Sequence, residues 1–252
     1  MKTKALYAVA LLVAAVALLV ISAPLHASTM DDRIESSARK SYVFKTYLEG
    51  DDINIQSKDG VVSLTGTVSE ESHKSLAQET VAGLPGVKSV DNKLEVKGTA
   101  PAKNSDAWIS TKVKTMLLFH RNVSAMTEVN TKDGIVTLRG KATSPAQKDL
   151  TTEYAKDVDG VKDVTNEMTV SEPSKKTSTL GRKIDDSSIT ALVKMTLLYH
   201  RSTSALNTSV STKKGVVTLT GKASNAAEMN LATKLANDVH GVKSVKNQMT
   251  IE

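Results

Sequence analysis

Lys58-Asp59-Gly60-Val61-Val62-Ser63-Leu64-Thr65-Gly66 recurs as Lys132-Asp133-Gly134-Ile135-Val136-Thr137-Leu138-Arg139-Gly140, and again as Lys213-Lys214-Gly215-Val216-Val217-Thr218-Leu219-Thr220-Gly221. Each stretch opens on a hairpin-turn dipeptide, or on Lys-Gly in the third, where glycine supplies the positive φ. A strand follows whose residues alternate between two faces, Val136 and Leu138 to one and Ile135 and Thr137 to the other. A second landmark comes after each: Gly86-Val87-Lys88-Ser89-Val90-Asp91-Asn92, Gly160-Val161-Lys162-Asp163-Val164-Thr165-Asn166, and Gly241-Val242-Lys243-Ser244-Val245-Lys246-Asn247. Gly60 to Gly134 and Gly86 to Gly160 are both steps of 74; Gly134 to Gly215 and Gly160 to Gly241 are both steps of 81. Such steps exceed the roughly 20–50 residues of a solenoid unit, so each copy is expected to be a small domain of its own.

Upstream of the turn in copy two, Ser105 caps a helix carrying Ile109, Val113 and Leu117 at i, i+4, i+8, and copy three repeats the stripe as Ile189, Val193 and Leu197. Copy one has the weaker set Ala38, Tyr42 and Val43. A short strand follows, with Ile53 and Ile55 in copy one and Val129 and Val210 as later equivalents. Gly66, Gly140 and Gly221 are expected to end the second strand. A second helix carries Leu150, Tyr154, Ala155 and Val158, or Leu231, Leu235, Ala236 and Val239, and in copy two it starts at Ser144-Pro145. The last strand alternates Val90, Asn92, Leu94, Val96, then Val164, Asn166, Met168, Val170, then Val245, Asn247, Met249, Ile251. The fold class is therefore α+β: three tandem α-β-β-α-β domains, each a three-stranded sheet covered on one face by two helices. The polar stretches 97–104 and 171–181 read as linkers with few contacts, so the copies are expected to unfold as partly separate units.

This order of elements, with the two glycine landmarks repeated three times, resembles the BON domain family over residues 31–97, 105–171 and 184–252. Copy one departs from the pattern by lacking the segment Leu117-Leu118-Phe119-His120-Arg121 that copy three repeats as Leu197 to Arg201. The resemblance implies exported, envelope-associated binding modules without catalysis. Anionic phospholipid binding and chaperone-like protection of outer-membrane proteins are the activities it implies.

Lys2 and Lys4 precede an uncharged run from Ala5 to Ile21, and Pro24 to Ala27 resembles a cleavage region, so residues 1–27 are expected to be a secretory signal peptide directing the chain to the periplasm. An uncleaved membrane anchor is the alternative. The sequence contains no cysteine, which removes disulfides, thiolate metal sites and a lipid-bearing cysteine. Aromatics at 3% argue against a base-stacking platform, and export argues against nucleic acid as a partner. No phosphate-binding glycine loop, zinc-binding His-Glu-x-x-His or Gly-x-Ser-x-Gly is present, so no catalytic residue, cofactor or metal is assigned.

Residues 31–100 hold nine Lys/Arg against twelve Asp/Glu, residues 101–172 ten against ten, and residues 173–252 twelve against five. An anionic partner therefore suits the third copy. The expected lipid or partner contact comprises Lys194, Met195, Leu198, His200 and Arg201 on helix one of copy three, with Lys175, Lys176, Arg182 and Lys183 before it. His120-Arg121 and His200-Arg201 are either headgroup contacts or charges meeting the negative end of their own helix. A metal held by His120 and His200 would require two copies to meet. His73 and His240 read as surface residues of helix two, Trp108 as packing against a neighbouring copy or dipping into a membrane interface, and Asn92, Asn166 and Asn247 as structural amides. The functional expectation is a non-enzymatic periplasmic protein engaging anionic phospholipid, with a periplasmic holdase for outer-membrane proteins as the alternative.

Overall fold

The computed structural model describes residues 22–98, 101–123, 127–171, 183–203 and 207–252. The apolar run Ala5–Ile21 and the basic linker residues Lys175, Lys176 and Arg182 lie outside them.

Copy one comprises α1 (Ser22–Lys40), α2 (Tyr42–Thr46), β1 (Asp52–Lys58), β2 (Val61–Val68), α3 (Glu71–Ala82) and β3 (Ser89–Val96). Copy two comprises α4 (Asp106–Phe119), β4 (Glu128–Lys132), β5 (Ile135–Arg139), β6 (Lys141–Ala142), α5 (Pro145–Lys156), β7 (Asp163–Asn166) and β8 (Thr169–Val170). Copy three comprises α6 (Asp186–Tyr199), β9 (Thr208–Lys213), β10 (Val216–Ala223), α7 (Ala226–Asn237), β11 (Ser244–Asn247) and β12 (Thr250–Ile251). In every copy the second strand is central. It pairs antiparallel with the first across the Gly turn, then parallel with the third after the helical crossover.

The expected stripes are buried: Ile109, Val113 and Leu117 on α4, and Ile189, Val193 and Leu197 on α6. Val62 and Leu64, Val136 and Leu138, and Val217 and Leu219 face the helices from the central strands. Leu138 is fully buried, so Leu138→Ala should destabilise the protein by about 2–5 kcal/mol, lost side-chain transfer and the cavity acting together. Urea denaturation measures it; an unchanged midpoint would place Leu138 outside the core.

Three sequence expectations are corrected. The ladder runs on through Gly66 to Val68 and through Gly221 to Ala223; only at Gly140 does it break, into β5 and β6. These glycines have φ of 116°, 131° and 124°, and a Cβ on Gly221 would collide with the carbonyl oxygen of Asn207. They bend a strand that continues rather than closing it. In copy one the stripe Ala38, Tyr42, Val43 is interrupted at Ser41, which accepts from Phe44 N–H and caps the separate helix α2; Ile34 and Ala38 carry the buried face of α1. Val170 and Ile251 are exposed at the end of the third strand.

Two polar devices recur in all three copies. Asn92, Asn166 and Asn247 each donate Nδ2–H to a helix-two carbonyl, of Lys74, Lys148 and Met229, at 2.9–3.1 Å. Each also accepts from the backbone N–H two residues on, of Leu94, Met168 or Met249. The amide thus ties the third strand to the helix above it, the structural role expected. The sequence reading had no account of the second device. Asp31, midway along α1, and Asp106 and Asp186, the first residues of α4 and α6, accept both backbone N–H groups of the hairpin turn: Asp59 and Gly60, Asp133 and Gly134, Lys214 and Gly215. In copy one Ser57 Oγ–H also donates to Asp31, and these bonds hold the Asp31 carboxyl below its usual value.

Candidate functional site

Helix α6 packs against its own sheet and also against α3 of copy one and α4 of copy two. Its sequence DSSITALVKMTLLY has apolar or small residues on nearly every side, and Ala191, Leu192 and Met195 are buried as completely as the core stripe. At 100° per residue, Ala191 lies on the opposite side of the helix from the stripe centred on Val193. The extra apolar face therefore has its partner inside the chain.

The docking to copy one is polar as well as apolar. Asp185 accepts Tyr42 N–H at 2.7 Å, and Ser188 Oγ accepts Val43 N–H at 3.1 Å, so the start of α2 is held at the start of α6. Lys194 Nζ pairs with Glu79 of α3 at 2.6 Å. On the opposite flank, Lys112 of copy two sits over Trp108, 4.3 Å from its ring centroid, and over Tyr199 of copy three, 4.2 Å away. Burial draws the Lys112 ammonium below its usual value, with Asp159 acting in the other direction. Trp108 thus packs at an inter-copy junction, the first of the two expected placements.

Copies two and three meet reciprocally. His200, at the end of α6, is buried, and its Nε2 lies 2.8 Å from the Asp157 carboxylate of copy two. Its Nδ1 accepts Ser202 N–H, so the ring proton faces Asp157. His120, at the end of α4, is equally buried; its Nδ1 lies 3.4 Å from Asp238 of copy three and its ring stacks on Tyr154 with centroids 3.8 Å apart. Asp238 also accepts from the Tyr154 hydroxyl and from Asn122. The backbones repeat the exchange: Arg121 N–H donates to Asp238 O and Arg201 N–H to Asp157 O, both at 3.0 Å, and His120 bridges Val239 as His200 bridges Val158. The same patch of each copy faces the other, the arrangement of an isologous dimer built into one chain.

The expected contact set is thereby divided. Met195 and His200 are buried and Lys194 is ion-paired, so these three serve inter-copy docking; Leu198, Arg201 and Lys183 are exposed. His120, His200 and Arg121 correct both readings offered for the His-Arg pairs, while the Arg201 side chain is exposed. The imidazoles face the neighbouring copy, and the Arg121 guanidinium reaches the carbonyls of Asn237 and Val242 at the end of α7 rather than its own helix end. His240 is also corrected from the surface of helix two to this interface, where its N–H donates to Phe119 O and burial holds its imidazole below its usual value. His73 is half-buried on Asp51 at 2.5 Å. Asp157 and Asp238 escaped the sequence reading, although a signal was present. Asp157-Val158-Asp159-Gly160 and Asp238-Val239-His240-Gly241 occur in the two copies that carry His-Arg, while copy one has Gly83-Leu84-Pro85-Gly86 and no His-Arg.

Three carboxylates at these contacts share one electrostatic pattern. Burial raises Asp157, Asp185 and Asp238, but polar partners outweigh it: the His200 hydrogen bond at Asp157, those of Ser187, Tyr42 and Ser188 at Asp185, and the nearby His120 imidazole with the Tyr154 and Asn122 hydrogen bonds at Asp238. All three end below the ordinary 3.8. A carboxyl with a lowered folded pKa stabilises the docked state above its unfolded pKa and loses that contribution as pH falls through the folded one. His240, lowered from 6.5, is neutral when docked and takes up its proton more readily when released, so its contribution falls as pH drops below 6.5. Acidification should therefore weaken docking in two stages, first below about pH 6.5 and then below about pH 4. Small-angle scattering across this range should show expansion before the far-UV signal is lost; simultaneous loss of both would contradict the docking assignment.

The pieces define a class: small mixed-sheet domains in tandem, docked through their helices, with their outer sheet faces left to solvent. The chain belongs to the BON domain family, which it matches at residues 30–98, 105–172 and 185–252. It is 32% identical to the Osmotically-inducible protein Y of Escherichia coli (strain K12) over 55% of this chain and 71% of that protein. It is 30% identical to the Outer membrane lipoprotein DolP of Haemophilus influenzae over 54% and 70%. The solved CdsD, a structural protein of the type III secretion system of Chlamydia trachomatis, aligns at 18% identity with a TM-score of 0.25, covering 87% of this chain and 90% of that one.

Proposed function

We propose that this chain is an exported, non-enzymatic envelope protein that binds anionic phospholipid surfaces through its third copy. The observation that carries the reading is where copy three's charges are placed. Asp185, Asp186 and Asp238 are engaged by backbone N–H groups, hydroxyls and the neighbouring copy's His120. Lys183, Lys213, Lys214, Lys222, Lys243 and Lys246 stand exposed. The exposed charges of copy three are therefore predominantly cationic, and such a surface is drawn to anionic headgroups. Of the contact set expected from sequence, Leu198, Arg201 and Lys183 are exposed to solvent, and Lys175, Lys176 and Arg182 lie outside the described residues.

An envelope location is supported by the names of the two relatives, one osmotically inducible and one an outer membrane lipoprotein. Removal of residues 1–27 would deliver the chain to the periplasm by the general secretory route; mass spectrometry of exported protein should find Ser28 at the mature N-terminus, and an intact Met1 in the membrane fraction would indicate an anchor. Co-sedimentation of residues 28–252 with vesicles tests the binding. Uptake should require phosphatidylglycerol and decline between low and high salt. If no uptake occurs and the protein instead suppresses aggregation of an unfolded outer-membrane protein, the holdase reading replaces this one.

A further inference from the structure

We propose that the outward face of the copy-three sheet is the surface that lies flat on an anionic phospholipid bilayer, an assignment that rests on the phospholipid reading above. Cross-strand pairing sets this face out in rows. Lys213, Val216 and Ser244 form one, and Ser211, Thr218 and Lys246 the next. Ser209 beside Thr220, then Lys222 beside Thr250, complete it. Its paired residues are three exposed lysines, hydroxyls and one valine, and the one carboxylate beside them is Glu252, which follows Thr250 at the edge.

The other two copies supply an internal comparison. The same face in copy one bears Asp52, Asp91 and Glu95 beside Lys58 and Lys93, with Lys93 paired to Asp91 at 2.6 Å. In copy two it bears Glu128 and Asp163 with Lys132, Arg139 and Lys141, and Arg139 is paired to Glu167 at 2.7 Å. Acidic residues at these positions cancel the cations. In copy three the equivalents of Glu128, Asp163 and Glu167 are Ser209, Ser244 and Gln248. Because the copies dock through α3, α4 and α6, no neighbour covers this face, and its lysines stay exposed with all three copies in place. Strand spacings put Lys246 roughly 12–14 Å from both Lys213 and Lys222. Three ammonium groups on one plane can meet a bilayer at once, whereas charges around a rim cannot.

The test uses residues 28–252 and vesicles of phosphatidylglycerol with phosphatidylcholine, against phosphatidylcholine alone. Lys213→Gln, Lys222→Gln and Lys246→Gln together should lower the apparent affinity roughly 100-fold at low salt, each surface lysine contributing about fivefold. Ser211→Glu, which keeps every lysine and places a carboxylate within the face, should also weaken binding. Lys58→Gln with Lys93→Gln on copy one should leave it unchanged. Thermal melts check that each variant folds. If the wild type binds and the copy-three triple variant binds equally well, while neutralising Lys175, Lys176, Arg182 and Lys183 abolishes uptake, the sheet assignment is wrong and the phospholipid reading survives. If the wild type ignores anionic vesicles, both are overturned.

Discussion

Ala191→Asp should release copy one from copy three at a cost of about 3–5 kcal/mol, the range for an uncompensated buried charge. Ala191 is fully buried although it points away from its own sheet, so what covers it belongs to another copy. Around it, Ser187 lies against Gly83, where a Cβ on the glycine would come within 3.3 Å of the serine Cβ, and Lys194 pairs with Glu79. Lys194, one turn on, is already paired to Glu79, so a carboxylate here is left uncompensated in a buried site. Copy three's own stripe of Ile189, Val193 and Leu197 is untouched, so its sheet should survive. Urea melts that show one dominant transition in the wild type should show two in the variant, and the radius of gyration should rise. Leu198→Asp, two turns along the same side but half-exposed, is the control and should cost less than 1 kcal/mol. An unaltered melt for Ala191→Asp would mean that α6 does not hold the copies together.

Asp238→Ala should cost about 2–4 kcal/mol and fall specifically on the contact between copies two and three. The carboxylate is the acceptor for Tyr154 and Asn122 and lies beside His120, whose side chain has no access to solvent. Removing it leaves the Tyr154 hydroxyl without its acceptor in a dry interface, whereas Asp238→Asn keeps an acceptor for Tyr154 and should cost less. Asp157→Ala breaks the matching pair with His200, but the Asp157 side chain is 36% exposed against 12% for Asp238, so water replaces more of what is lost and the penalty should be smaller. The double variant should cost less than the sum, because once either rung has undocked the copies the other no longer contributes. Strict additivity would show the two rungs acting as independent local contacts rather than as one interface.

The secondary structure of each copy was legible because it depends on local periodicity. The i, i+4 stripe of Ile109, Val113 and Leu117, the alternation of Val136 and Leu138, and the turn glycines read the same way in sequence as in space. So did the recurring asparagines, whose place within an apolar alternation implies a buried amide needing partners. The sequence also determined the family, the tandem count and the charge gradient towards the third copy. It showed Met195 and Leu198 broadening the apolar side of α6, and it showed His-Arg and Asp-Val sharing the same two copies.

Only the tertiary structure decided what those features serve. Composition states that a face is apolar but not which surface covers it, and here α3 and α4 cover most of α6 before any membrane or client can. Linkers that read as independent spacers join domains whose contacts are set by residues 43, 118 and 143 positions apart along the chain, His200 with Asp157 and His120 with Asp238 on the two reciprocal rungs and Tyr42 with Asp185 at the copy-one contact. A histidine at a helix end looks alike in sequence whether it meets solvent or a carboxylate from another domain; its role is set by a neighbour that local pattern does not encode. Likewise the lysines of β9, β10 and β11 were countable from the start, but their common plane exists only once Val216 pairs with Lys213 and Thr218 with Lys246.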